Sequence, residues 1–269
     1  LSRIPMVYQI WQRLGLFRHG KMDNADYAIE TFMFHIKNCN LYNKHDGLTI
    51  LEIGPGDSVA SALIAKSINS KCILIDTGNF LSNNLDNYKN LADKLVELGF
   101  SPPDLSHAEC IQDILNVCDA QYYTEGLKSL KNLDSDSIDM IFSQAVLEHV
   151  RLDIFDETIA ELRRVLKSNG TSSHEIDLKD HLGLSLNNLR FSKNLWESNL
   201  FSNSGFYTNR LRYSEIINIF KKNHFKVNII RQKKWNELPL SRNKFNKIFK
   251  KFDNNEMLIS EFNLLTTKD

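Results

Sequence analysis

The sequence predicts an α/β fold built on a mostly parallel sheet, and three observations carry that prediction. Short apolar runs that suit buried strands alternate with stretches of helical periodicity. The first strand-like run ends at Gly54-Pro55-Gly56 and passes straight into a helix pattern. The second ends on an acid, Asp76. Leu48 to Ile53 is the first strand, Val59, Leu63, Ile64 and Ile68 mark the helix after it, and Cys72 to Ile75 is the second strand. Together they make a βαβ unit of the kind from which parallel sheets are assembled.

The other elements follow in order. Residues 1–47 read as helical: Tyr8, Ile10, Trp11 and Leu14 mark one apolar face, and Tyr27, Ile29, Phe32 and Phe34 a second helix beyond Gly20. Residues 80–120 are broken by Asn83, Asn84, Asn87 and Pro102-Pro103, so the stretch reads as helices or a lid over the sheet edge, with Leu91 to Leu98 helical. Gln121 to Tyr123 is a short strand and Ser137 to Ser143 a clearer one. Asp153 to Leu166 is an amphipathic helix that Asn169-Gly170 stops, as a Gly beyond a helix end does. Thr171 to Leu178 is the next strand, residues 182–212 an insertion, Tyr213 to Asn223 a helix, Phe225 to Arg231 a strand and Met257 to Thr266 the last strand.

Composition limits the function classes. Of 269 residues 42% are apolar and 25% charged, enough for a sizeable core and against disorder. Basic and acidic residues number 33 each, which argues against a whole-protein electrostatic grip on nucleic acid. Cys39, Cys72, Cys110 and Cys118 form no C-x-x-C pair and read as reduced, mostly buried thiols, consistent with the cytoplasm. No apolar run suits a signal peptide or a membrane span. The chain does not begin with Met, which leaves room for residues upstream of Leu1.

The strongest local signal is Leu51-Glu52-Ile53-Gly54-Pro55-Gly56-Asp57-Ser58. Glycines at a strand-to-helix turn permit a sharp bend and a ligand's close approach, and the next helix starts with free N–H groups. Asp76, one strand later, is placed to accept hydrogen bonds from ribose hydroxyls. A bare turn, a nicotinamide dinucleotide site and an S-adenosylmethionine (SAM) site all fit these residues. The later segments separate them. LEIGPGDS, Asp76, the run Ser137 to Val150, and Glu161 to Lys167 with Asn169-Gly170 resemble, in that order, the motifs of class I SAM-dependent methyltransferases.

The resemblance implies a Rossmann-like seven-stranded sheet whose last strand is antiparallel, with Phe225 to Arg231 and Met257 to Thr266 as the final pair. It divides the chain into an N-terminal helical extension, 1–47, and a methyltransferase domain, 48–269, with its acceptor-side insertion at about 182–212. It implies SAM as cofactor, bound by Glu52, Gly54, Pro55, Gly56, Asp76, Thr77, Ser143 and Gln144. Gly54 and Gly56 lie under the methionine part, Asp76 holds the ribose, Thr77 and Gly78 lie near the adenosine, and residues around Tyr123 to Glu125 approach the adenine. Ser143 and Gln144 lie near the sulfonium.

Transfer to a hydroxyl benefits from a general base, and histidine suits this role near neutral pH. His149, just after the fourth strand, is the first candidate, with bracing of the next helix as its structural alternative. The run His174 to His181 is a second cluster, from which His174 is taken as a catalytic candidate; on a strand, His174 and Ile176 share one face and Glu175 and Asp177 the other. Some superfamily members hold a divalent ion with Glu-x-x-Glu-His. The matching positions here are Ala145, Glu148 and His149, so the first carboxylate is missing; His174, Asp177 or His181 could substitute for it in space, since mixed histidine and carboxylate ligation is chemically reasonable, but no metal site is assigned. In the insertion, Trp196, Phe201, Phe206, Tyr207, Asn209, Arg210 and Arg212 suit either an acceptor-binding lid or a small satellite core. The basic stretch 231–251 suits an anionic membrane surface, an acidic substrate or a solvated face. The expectation is a cytoplasmic enzyme methylating a small-molecule or glycan acceptor, O-methylation favoured; nucleic-acid methylation and a non-catalytic scaffold are the alternatives.

Overall fold

The computed structural model describes residues 22–43 and 46–269. The helix read from Tyr8, Ile10, Trp11 and Leu14 lies outside the described residues. Helix α1, Ala25–Asn38, opens on Asn24, whose side chain accepts from the Tyr27 N–H, and it buries Ala28, Phe32 and Ile36 on one face. Strand β1, Thr49–Ile53, is followed by α2, Ala60–Ser67, and β2, Lys71–Ile75. The stretch 80–120 holds two helices, α3 (Leu85–Glu97) and α4 (Ile111–Val117). Then come β3 (Gln121–Tyr123), α5 (Leu127–Lys131), β4 (Ile138–Gln144), α6 (Phe155–Val165) and β5 (Leu166–Asp177). The insertion carries two single-turn helices, α7 (Lys193–Trp196) and α8 (Asn199–Ser202). The chain closes with α9 (Tyr213–Lys222), β6 (Phe225–Lys234), α10 (Asn254–Met257) and β7 (Ile259–Lys268).

The seven strands form one sheet in the order β3-β2-β1-β4-β5-β7-β6. The contacts from β3 through β5 are parallel, and β7 runs antiparallel to both its neighbours. The expected Rossmann-like sheet with a reversed last strand is therefore present, and its final pair is the expected one. Helices cover both faces. On one, α1 to α4 pack their apolar residues against Ile50, Leu74, Met140 and Phe142. On the other, α6 and α9 cover Leu51, Ile141, Ile176 and Phe262. Burial on both faces explains why β1 and β4 read as continuous apolar runs rather than alternating ones.

One boundary departs from expectation. Asn169-Gly170 does not stop α6, which ends at Val165; the chain turns directly into β5 at Leu166. Gly170 lies within that strand, where the pairing with β4 shifts register between Ile138 and Met140. A Cβ there would stand 2.7 Å from Leu166 Cδ1 and 3.0 Å from the Asp139 carbonyl oxygen. The glycine serves close approach of two backbones, not a helix end.

Candidate active site

The strand order reverses between β1 and β4, and in open parallel sheets the crevice beyond the carboxyl ends at such a point is where ligands bind. The glycine turn after β1 lies there. Gly54 and Gly56 adopt φ values of 74° and 67°, a region that side-chain-bearing residues rarely enter. A Cβ on Gly54 would meet both γ-carbons of Val146 at 2.5 Å, so the turn after β1 and the segment after β4 interlock without room for a methyl group. Pro55 between the glycines is buried.

Asp76, just past β2, is held by its surroundings. Its Oδ2 accepts from the Gly56 N–H at 3.0 Å and its Oδ1 from the Thr77 N–H at 2.7 Å. The backbone on either side bonds to Tyr123 and Gly126, which ties the carboxylate to the β3 edge. Thr77 is exposed and its methyl packs at Gly126, and the Gly78 carbonyl accepts from the Tyr122 hydroxyl at 2.9 Å. Glu52 points from β1 into the interior. Burial raises its carboxyl to about 8, the nearby Ser61 hydroxyl opposes that rise, and the Asp76 charge adds to it. Its Oε2 is buried without a hydrogen-bond partner.

The two residues expected beside the reacting sulfur part company. Strand alternation sends Ser143 and Gln144 to opposite faces. Ser143 is buried, and its hydroxyl contacts His174 Nδ1 at 2.8 Å. His174 is fully enclosed, packed on the Phe220 ring at 5.7 Å, and burial lowers it to about 3, with a smaller contribution from His35. A neutral imidazole sealed beneath α9 is placed for packing rather than for contact with an acceptor. Gln144, half-buried on the α1 face, is fixed from both ends: its Oε1 faces His35 Nε2 at 3.0 Å, and its Nε2 donates to Glu175 Oε1 at 2.6 Å. Arg231 and Asn263 in turn donate to Glu175 Oε2.

His35 had no place among the residues singled out from sequence. It is fully buried, lies 2.8 Å from the Ser173 hydroxyl through Nδ1, and burial brings it down to about 4. Its only signal is its spacing from Phe32 on the apolar face of α1, which marks a core position but not its role in orienting Gln144.

After β4 the chain passes through Ala145, a non-glycine residue at φ 52°, into a short turn, Leu147–His149. Glu148 is buried against the Asp177 N–H, and desolvation raises its carboxyl well above the ordinary range. His149 is half-buried. Its Nδ1 contacts the Tyr207 carbonyl oxygen at 2.8 Å, and its ring stacks on His181 with the two Nε2 atoms 3.2 Å apart. The fold thus brings together two histidines far apart in sequence. Among the described residues, no group of three His, Cys, Asp or Glu side chains is arranged to hold a metal ion.

Of the two readings of the insertion, the structure takes the satellite core. Trp196 and Tyr207 are fully buried and stack on each other; Trp196 also stacks on Phe191 and packs at a tilt against Phe201 and Phe206, and the Arg210 guanidinium caps it 5.1 Å from the ring. Arg210 and Arg212 donate to the carbonyls of Asn188, Phe191, Leu178 and Ile259, so they brace the backbone rather than offer themselves to a phosphate. Asn209 donates to the carbonyls of Leu147 and Val150, fastening the insertion to the turn that bears His149. A second satellite core, around Leu189, Phe245 and Phe249, joins the insertion to the basic stretch. Within that stretch Arg231, Lys233 and Lys251 pair with Glu175, Glu261 and Glu215.

Residues 51–173, a little under half of the chain, match the family model described as a methyltransferase domain. No curated protein sequence matches the chain. Solved structures resemble it at low identity. A SAM-dependent methyltransferase from Methanosarcina mazei is 18% identical, with 83% of this chain and 93% of that one covered and a TM-score of 0.48. The YcgJ protein from Bacillus subtilis is 15% identical, covering 87% and 100%, with a TM-score of 0.46. Phosphoethanolamine N-methyltransferase 2 from Haemonchus contortus, solved with S-adenosyl-L-methionine, is 13% identical, covering 89% and 52%, with a TM-score of 0.47. The family match covers residues 51–173, the same span that carries the glycine turn, Asp76 and the segment after β4, so this part of the chain is similar to a methyltransferase domain.

Proposed function

We propose that this chain is a SAM-dependent methyltransferase acting on the oxygen of a small-molecule or glycan acceptor. The observation that carries the cofactor is the Asp76 carboxylate, pinned by the Gly56 and Thr77 amides beside two glycines that leave the turn bare of side chains. A carboxylate held this way has accepting capacity left for a ribose diol. The unpartnered buried Oε2 of Glu52 is a second polar atom that fits a bound group at this turn. SAM, when bound, supplies an electrophilic methyl group and a neutral thioether leaving group.

The chain's own residues have three tasks. Gly54, Pro55, Gly56, Asp76 and Thr77 hold the cofactor, with Glu52 behind them. Gln144, locked between His35 and Glu175, presents its amide at the end of β4 and orients what binds there. The turn carrying His149, together with the His181 ring it contacts, supplies a base for a hydroxyl, and orientation of the acceptor accounts for much of the acceleration. Residues 48–269 form the catalytic unit in this reading, and 182–212 wall its acceptor side. The free thiols suit the cytoplasm, and no helix among the described residues is long and apolar enough to cross a membrane.

The test is calorimetric titration of SAM, its demethylated product and NAD into wild type and Asp76→Ala, followed by a panel of sugar and phenol hydroxyls as acceptors. SAM binding that Asp76→Ala weakens at least tenfold, with no NAD binding, supports the reading. Absence of SAM binding refutes it.

A further inference from the structure

We propose that His149 and His181 act as a histidine dyad in which His181 presents the basic nitrogen to the acceptor and His149 is its positioning partner. The inference deepens the methyl-transfer reading and rests on it for the reaction, but the dyad itself stands on geometry. A carbonyl oxygen only accepts hydrogen bonds, so His149 Nδ1, 2.8 Å from the Tyr207 oxygen, must carry a proton. In its neutral form His149 then has its lone pair on Nε2. That atom lies 3.2 Å from His181 Nε2, so His181 is the donor of the pair and keeps its own lone pair on Nδ1. The arrangement runs in one direction: the Tyr207 carbonyl fixes His149, and His149 fixes the tautomer of His181.

Position supports the assignment. His149 follows β4 and His181 follows β5, adjacent parallel strands whose carboxyl ends border the candidate site. His149 is half-buried and spends both ring nitrogens inside the protein, whereas His181 is exposed. Among the described residues, the charged groups on the segments next to the pair are engaged elsewhere. Asp177 pairs with Lys179 and Arg151 with Asp153. Glu197 accepts from the Tyr207 hydroxyl, and Asp180 accepts backbone N–H groups of its own loop. Glu148 is buried and held toward its neutral form.

In the step assigned to the dyad, the acceptor O–H bond breaks and its proton passes to His181 Nδ1. The electron pair stays on the acceptor oxygen, which becomes the nucleophile. The positive charge on the His181 ring is shared through its Nε2–H with His149, backed by the Tyr207 carbonyl, in the manner of a base oriented by a third group.

Long-range proton–nitrogen NMR of the histidine rings in the intact protein at pH 8 tests the dyad without any ligand. Protonation of His149 on Nδ1 and His181 on Nε2 is expected, and His149 protonated on Nε2 overturns the proposal. Diethyl pyrocarbonate modification, mapped by mass spectrometry, should reach His181 first, with His149 reacting only in the His181→Gln variant; equal rates in wild type count against it. With an acceptor from the hydroxyl panel, His181→Gln should lower kcat by about 10²–10⁴-fold, the range for a lost general base, while SAM affinity stays within twofold. Unchanged kcat overturns the catalytic role. If SAM does not bind, the reaction falls while the NMR result still decides the dyad.

Discussion

Replacing Gly54 by Ala tests the junction on which the site is built. The new methyl group would stand 2.5 Å from both γ-carbons of Val146 at a backbone φ of 74°. Two costs add. Holding an L-residue in the left-handed region costs about 1–2 kcal/mol, and overpacking a closed contact costs about 1–3 kcal/mol. Gly54→Ala should therefore lose about 2–5 kcal/mol, a large part of the roughly 5–15 kcal/mol by which domains are stable. Urea denaturation followed by circular dichroism measures the loss. Because Val146 leads into the Leu147–His149 turn, the variant should also bind SAM more weakly than its stability loss alone explains. Adding Val146→Ala removes the two clashing carbons, so the double variant should show a favourable coupling of about 1–3 kcal/mol, with the backbone cost remaining. A single variant within about 0.5 kcal/mol of wild type would refute the argument, and so would zero coupling.

Other expectations follow from the same structure. Arg212 is buried and donates to the Leu178 and Ile259 carbonyls, so Arg212→Met leaves two carbonyls unsatisfied and should cost about 2–5 kcal/mol in urea denaturation. Asp180 accepts the backbone N–H groups of Leu182, Ser185, Asn187 and Asn188; Asp180→Ala should open residues 182–190 to limited proteolysis while the sheet core persists. Glu52 stands near 8 when folded against 4.5 as its ordinary value, so the folded state holds its proton more tightly. Its contribution is complete below pH 4.5 and is lost as pH rises through 8. The stability of Glu52→Gln relative to wild type should accordingly improve by about 3–5 kcal/mol between pH 4 and 8, and a pH-independent difference would contradict the buried placement. His35 works in the opposite sense: lowered to about 4 from 6.5, its contribution is full above pH 6.5 and is lost as pH falls through 4. Relative to wild type, His35→Gln should gain stability on acidification across that window.

Much of this chain could be read from its residues in order. The apolar runs at β1, β2 and β4, the helices α6 and α9, and the closing pair of strands sit within a few residues of where periodicity put them. These elements bury their pattern locally: a strand covered on both faces must be apolar throughout, and a helix on a sheet must repeat its apolar residues every turn. The glycine turn and Asp76 were legible for a similar reason. A backbone at positive φ and a carboxylate at a strand end are properties of single positions in a known order.

What the order of residues left open depends on partners distant in the chain. Ser143 and Gln144 are neighbours, yet strand alternation makes one a core hydroxyl against His174 and the other a half-buried amide held by His35 and Glu175. Gly170 looked like a helix end, but its reason is a Leu166 side chain and a carbonyl from β4. The aromatic and arginine residues of the insertion suited an acceptor lid or a core equally well, and only packing of Trp196, Tyr207 and Arg210 on one another decided it. His149 and His181 became a pair because β4 and β5 are adjacent in the sheet. The strands, the glycine turn and the acid beside it are legible in short runs of residues, because local sterics and burial set them. The tertiary structure alone decided which histidine is sealed in the core and which two face each other, because strand adjacency and the seating of the insertion are not written in any local run of residues.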